Sequence, residues 1–182
     1  MARHRVISDM SSHSISWPFR PRSFPGVETR VPLLDYYGAG ADFFDFRPLE
    51  DGTLTLYLCA TDRTLFYARV DPVRRELRYV NDGQEPALLV HRNALPVQHL
   101  GGVGAGERRV ALEPGDVLAA YSGGVTEQAA LDVIREDPDA RAGVIVSRIL
   151  EGAVGTAVAV RVIAAEEPAI AEESDELELA VA

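Results

Sequence analysis

Asp42 and Asp45 are the first residues in this chain whose type and spacing could do chemistry. They stand three apart in Gly38-Ala39-Gly40-Ala41-Asp42-Phe43-Phe44-Asp45-Phe46, at the start of an expected strand and after a run of small residues. Two carboxylates so placed could face a shared hard cation. The same acids at a tight turn could cap backbone N–H groups instead, and spacing alone favours this second reading. The other polar residues offer less. His91 and His99 are separated by a turn-forming stretch with Pro96, and no third ligand or nucleophile accompanies them. They read as surface or strand-end histidines. Ser122 precedes Gly123-Gly124 but comes after Ala120-Tyr121, so it does not sit in a Gly-x-Ser-x-Gly elbow. The glycine-rich run from Gly101 to Gly106 has the composition of a phosphate loop. The next residues, Glu107 to Leu112, are strand-like and not a helix start, so a flexible hairpin loop is expected. Cys59 is the single cysteine, which excludes an intramolecular disulfide and a multi-cysteine metal site.

The elements that must position these residues are mostly strands. Leu54 to Cys59 alternates strictly after the turn Glu50-Asp51-Gly52. Leu65 to Val70 and Glu76 to Val80 flank Asp71-Pro72 as a hairpin. Pro86 to His91 comes after the turn Asn81-Asp82-Gly83. Arg108 to Leu112 and Asp116 to Tyr121 flank the turn Glu113-Pro114-Gly115. Helices come late. Thr126 can cap a helix over Glu127 to Arg135, with Ala130, Leu131 and Ile134 at helical spacing, and Asp139 can cap a second over Ala140 to Leu150. Val154 to Ile163 closes the domain as a strand. Antiparallel strands first and helices after predict an α+β architecture.

The 182 residues suit one domain with ragged ends. Residues 1–25 read as an irregular Ser/Pro/Arg-rich leader around Trp17, residues 26–165 as the domain, and residues 166–182 as an acidic, disordered tail. The tail carries Glu166, Glu167, Glu172, Glu173, Asp175, Glu176 and Glu178 and no base, and so holds most of the formal charge of −10. All 18 basic residues are arginine, and no basic stripe is available to displace counterions from nucleic acid. No apolar signal region comes after the basic start. The longest apolar stretch, Val154 to Ala165, is interrupted by Arg161 and too short to span a bilayer. A soluble cytoplasmic protein with no nucleic-acid or membrane partner is expected.

Three segments together resemble the SpoIIE-type branch of the PPM (type 2C) metal-dependent serine/threonine phosphatases. Ala39 to Asp45 resembles that family's Gly-Gly-Asp-x-x-Asp strand. Phe66 to Asp71 with Leu77 to Gly83 resembles its Tyr-Val-Asn-Ala-Gly-His hairpin. Leu112 to Leu118 with Tyr121 to Glu127 resembles its Glu-Pro-Gly-Asp … Tyr-Thr-Asp-Gly-Val-Thr-Glu segment. The resemblance runs over roughly residues 25–163, and its last segment is the most specific. It implies an antiparallel β-sandwich of the PPM type with two Mn²⁺ or Mg²⁺ ions held by carboxylates, a metal-bound water attacking phosphoserine.

The departures shape what is expected of this chain. Asp42 matches the family's first carboxylate. The bridging acid falls at Ala60, the Asp of Thr-Asp-Gly at Gly123, the late Asp-Asp near Ala153-Val154, and the family's His at Gln84. One carboxylate plus water binds a hard divalent cation only weakly. Asp45 and Asp62 are the further acids available, but Asp62 is two residues from Ala60, which moves its oxygen by roughly 6–7 Å along a strand. The family's two long helices before the next strand are also missing, because Asp62-Arg63-Thr64 joins the strands directly. The C-terminal helix pair is kept. One sheet face is thereby bared, carrying Tyr57, Cys59, Tyr67, Arg69 and Arg78. The expectation is therefore a catalytically inactive phosphatase-like domain, needing no cofactor, that binds a protein partner or a second copy through that face. It would act in bacterial signalling or sigma-factor regulation. The alternatives are a weak Mn- or Mg-dependent phosphoserine/phosphothreonine phosphatase and a scaffold subunit of a larger assembly.

Overall fold

The computed structural model describes residues 31, 33–60, 64–92, 97–102 and 106–163. The leader, the acidic segment 166–182 and Asp62 lie outside the described residues. Among the described residues ten strands form two five-stranded antiparallel sheets, and two helices cover one of them, so the fold is α+β as the order of elements predicts. The first sheet has the order β1 (Leu34–Ala39), β10 (Gly155–Val162), β9 (Val117–Gly123), β6 (Ala87–Val90), β7 (Gln98–Leu100). The second has the order β2 (Phe43–Pro48), β3 (Leu54–Cys59), β4 (Leu65–Asp71), β5 (Glu76–Asp82), β8 (Arg108–Ala111). No helix among the described residues is long and apolar enough to cross a membrane.

Side-chain alternation sets the layers. In the second sheet Leu54, Leu56, Leu58, Phe66, Ala68 and Leu77 are fully buried and meet Leu89, Leu118, Val158 and Val160 of the first sheet. Burying each such leucine or phenylalanine contributes about 1.5–3 kcal/mol. The opposite face of the first sheet, with Leu88, Val117, Ala119, Tyr121, Ala157 and Ala159, lies under α1 (Glu127–Glu136) and α2 (Ala142–Ile149). Helix α1 starts where Thr126 accepts the Ala129 N–H at 3.2 Å and buries Ala130, Leu131 and Ile134. Helix α2 buries Ala142, Ile145, Val146 and Ile149, one stripe at the helical period.

Three local expectations are corrected. Asp139 does not cap α2; that role falls to Asp35 of β1, which accepts the Ala142 N–H at 2.8 Å, while Asp139 takes Arg92 and Arg161. The Pro-Gly turn after β8 does not close a hairpin, because β8 and β9 belong to different sheets; there Asp116 accepts the Glu113 N–H at 2.8 Å. Strands β1 and β7 join the first sheet at its two edges, where the sequence predicts no strand.

The outer face of the second sheet is bare among the described residues. Its register sorts that face into three rows running across the strands. Phe43, Cys59 and Leu65 make an apolar row. Asp45, Tyr57, Tyr67 and Val80 make the central row, with the two tyrosine rings 4.9 Å apart. Arg47, Thr55, Arg69, Arg78 and Arg109 make the third. Adjacent like charges repel, and the acids at the rim offset this: Asp51 binds Arg69 at 2.6 Å, Glu76 binds Arg78, and Glu107 stands 3.9 Å from both Arg78 and Arg109.

Candidate functional site

One end of the sandwich gathers the residues that the resemblance singles out. The β2–β3 register pairs Phe43 with Cys59, so Asp42 and Ala60 are the next positions beyond that pair. In the other sheet Gly155 faces Gly123 and Thr156 faces Ser122. Gly40 has φ +139° and packs so closely on Thr156 that a Cβ there would meet its Oγ1 at 2.3 Å. This close approach lets the Asp42 N–H donate to Thr156 Oγ1 at 2.8 Å, and the Ser122 hydroxyl donates to the Asp42 carboxylate in a short hydrogen bond. Ser122 and Thr156 are buried. The residue before β2 is thus tied to the first sheet by two hydroxyls, Thr156 taking the Asp42 backbone N–H and Ser122 its carboxylate.

Gln84, at the family's histidine position, is buried and structural in its bonding. Its Nε2 donates to the Tyr121 carbonyl at 2.8 Å, and its Oε1 accepts from Thr64 at 2.7 Å. Burial pushes the Tyr121 phenol up to about 12, with Glu127 and Glu85 acting in the same direction. Gly123 has φ +71°, and a Cβ there would stand 3.0 Å from Gly155 Cα and 3.2 Å from the Val154 carbonyl. The Gly124 N–H donates to that same carbonyl at 2.8 Å, while the Val154 side chain points to solvent.

The structure brings Asp42, Gln84, Gly123 and Val154 to one end of the sandwich, with Ala60 opposite Asp42. It does not bring Asp45 there. Asp45 lies on the outer face of β2, exposed and across from Tyr57, so the two acids three apart point to opposite sides of the strand. Tyr57, Cys59, Tyr67, Arg69 and Arg78 share the bare outer face, each half-buried. His91 pairs with buried Asp116 at 3.0 Å, at the far end of β9 from Ser122, and His99 pairs with Glu127 at 2.8 Å on the surface. Among the described residues no imidazole therefore stands behind the Ser122 hydroxyl to make it a nucleophile.

Ser122 and Thr156, which hold Asp42, are not foreseen as site residues. Their signal is register: only pairing β9 with β10 shows that both approach Asp42. No group of three His, Cys, Asp or Glu able to hold a metal ion exists among the described residues. A two-cation centre needs several carboxylates; the described residues supply Asp42 alone, with one oxygen already engaged. This donor set does not fit such a centre.

The family model for Stage II sporulation protein E (SpoIIE) matches residues 58–167. The chain belongs to the SpoIIE family. Solved structures share its fold at low identity. The RsbU and RsbW domains of a Mycobacterium tuberculosis protein superpose with a TM-score of 0.58 at 18% identity, over 74% of this chain and 62% of that one. This SpoIIE-family chain thus spans less than two thirds of that relative. The phosphatase domain of SpoIIE from Bacillus subtilis gives 0.51 at 12% identity, covering 76% of this chain and 94% of that one. RsbX, solved in complex with magnesium, gives 0.54 at 9% identity over 71% and 94%. No curated protein matches the chain in sequence.

Proposed function

We propose that this chain is a phosphatase-fold domain of the SpoIIE family that acts by binding protein and not by hydrolysing phosphoserine. The observation that carries this reading is the state of Asp42. It is the one acid at the family's ligand positions among the described residues, and Ser122 and Thr156 hold it in hydrogen bonds. The setting suggested by RsbU- and SpoIIE-like relatives is bacterial signalling of the kind that governs sigma factors. Hydrolysis of p-nitrophenyl phosphate with and without Mn²⁺ tests the reading. It predicts equal, background rates in both. A Mn²⁺-dependent rate lost in D42A would instead establish a phosphatase.

The binding surface in this proposal is the bare outer face of the second sheet, and its occupant is a second copy of the chain. Five strands about 4.8 Å apart and about six residues long give a footprint of about 24 by 20 Å. That is of the order a standard interface takes from each partner, about 800 Å² of accessible surface. The tyrosines of the central row favour self-pairing. A two-fold axis along that row sets tyrosines against tyrosines and each arginine row over the mate's apolar row, and it sets Asp45 against its own copy only at the sheet edge, on β2. The arginine rows then stand about 14 Å apart, beyond the Debye length of about 8 Å at physiological salt.

A further inference from the structure

The end of the sandwich opposite Asp42 holds a cavity of about 710 Å³, where Leu34 of β1 pairs with Val162 of β10. Three arginines line it, Arg92, Arg141 and Arg161, against two acids, Asp35 and Asp139. Arg161 gives Nη1 to the carbonyls of Asp139 and Ala140 and Nη2 to the Asp139 carboxylate at 2.7 Å, while its Nε is buried with no partner among the described residues. Arg92 reaches the same carboxylate at 3.2 Å. Asp35 is held by the Ala142 N–H at 2.8 Å and lies 3.7 Å from Arg141, whose side chain is 83% exposed. Two carboxylates therefore leave one guanidinium charge in excess. The first turn of α2, which has no acid of its own, adds the same sign.

We propose that this cavity is a carboxylate-binding site whose occupant is the acidic run of the same chain, Glu166 to Glu178. Two observations converge on that occupant. The first is charge: the run holds seven carboxylates and no base, against a wall with excess positive charge. The second is reach. Ile163 lines the cavity, and Glu166 and Glu167 come three and four residues after it. An extended chain keeps them within about 10 and 13 Å. Over so short a tether the effective concentration is of millimolar order, so a site with a millimolar dissociation constant is about half filled. A second groove of about 600 Å³ shares Asp35, Tyr36 and Arg141 with the cavity and runs along α2 past Arg148, which Glu136 binds, to Glu151, so the excess positive charge is confined to the cavity itself. This site is independent of the metal question, since it lies at the other end of the sandwich.

The absence of lysine from the chain makes a direct test available. R141K in the full chain introduces one side-chain amine at an exposed position. A carbodiimide then joins it to any carboxylate in contact, and peptide mass mapping names that carboxylate. The expected product is an intramolecular crosslink to an acid between Glu166 and Glu178. Its yield should fall at least about threefold in 1 M salt, where the Debye length is about 3 Å, and again when R92Q is added. Crosslinks confined to Asp35 or Asp139, to acids of residues 1–30, or between two chains would each overturn the proposal.

Discussion

The two sheets of this molecule have opposite outer faces. On the first sheet Leu88, Val117, Ala119, Tyr121, Ala157 and Ala159 are at most 2% exposed beneath two helices. On the second, Tyr57, Cys59, Tyr67, Arg69 and Arg78 stand half-buried with no helix over them among the described residues. Both sheets bury their inner faces in one core. The difference is written in the strands. β9 and β10 are apolar at nearly every position, as strands covered on both sides must be, whereas β3 and β4 alternate, as strands wetted on one side do. The second sheet therefore presents an outer surface with its own composition, not an exposed core. Tyrosine and arginine are residue types that interface cores favour.

The sharpest way to break this comparison is to remove one tyrosine from each outer face. Tyr121→Ala empties a site that is 2% exposed, and truncation of a buried aromatic costs about 3–5 kcal/mol. Tyr57→Ala should cost less than half as much in urea denaturation of the dilute protein. Equal losses would mean that the two faces are equally covered. Next in size is an effect on assembly. Tyr57→Glu places a charge at the centre of the proposed two-fold contact. Light scattering at high micromolar concentration should then show the mass of one chain, against two for the parent. A parent that is already monomeric removes the second copy from the account.

A smaller effect concerns the helical cover. Thr126→Ala deletes the cap of α1, which should lower stability by about 1 kcal/mol while leaving the association state untouched. The last prediction is a pH dependence. The Tyr121 phenol is held near 12 in the folded chain by burial, against about 10 when unfolded. The folded state therefore keeps a proton that the unfolded state releases. That contribution is complete below pH 10 and is lost as pH rises towards 12. Burial also raises Tyr67, with Tyr57 beside it acting in the same direction. Melting temperatures between pH 9 and 12 should fall less steeply in Tyr121→Phe than in the parent.

Strand identities are legible wherever the hydrophobic period is clean. Leu54 to Cys59 is a strand at the bounds its alternation implies, and Thr126 caps α1 as its position before the apolar stripe suggests. The illegible parts depend on partners far along the chain. β1 is broken up by Asp35 and Gly38 and becomes a strand by pairing with β10. β7 is three residues long and carries no period of its own. Asp139 has the position of a cap for α2 because it is adjacent; Asp35 caps the helix from 107 positions away. At the candidate site, Asp42 and Asp45 read as one constellation at a spacing of three. Strand geometry sends them to opposite faces and gives Asp42 to Ser122 and Thr156 instead.

In the proposed function a SpoIIE-family fold persists without a working cation centre. Restoring ligands is an indirect probe, since Gly123 takes φ +71° against the Val154 carbonyl and an aspartate there would be strained. Calorimetric titration of the full chain with Mn²⁺ is direct. One carboxylate already bonded to a hydroxyl predicts no binding tighter than millimolar, and no change in D42A. Micromolar binding that disappears in D42A would contradict the account and place a second acid, Asp62 first among them, beside Asp42.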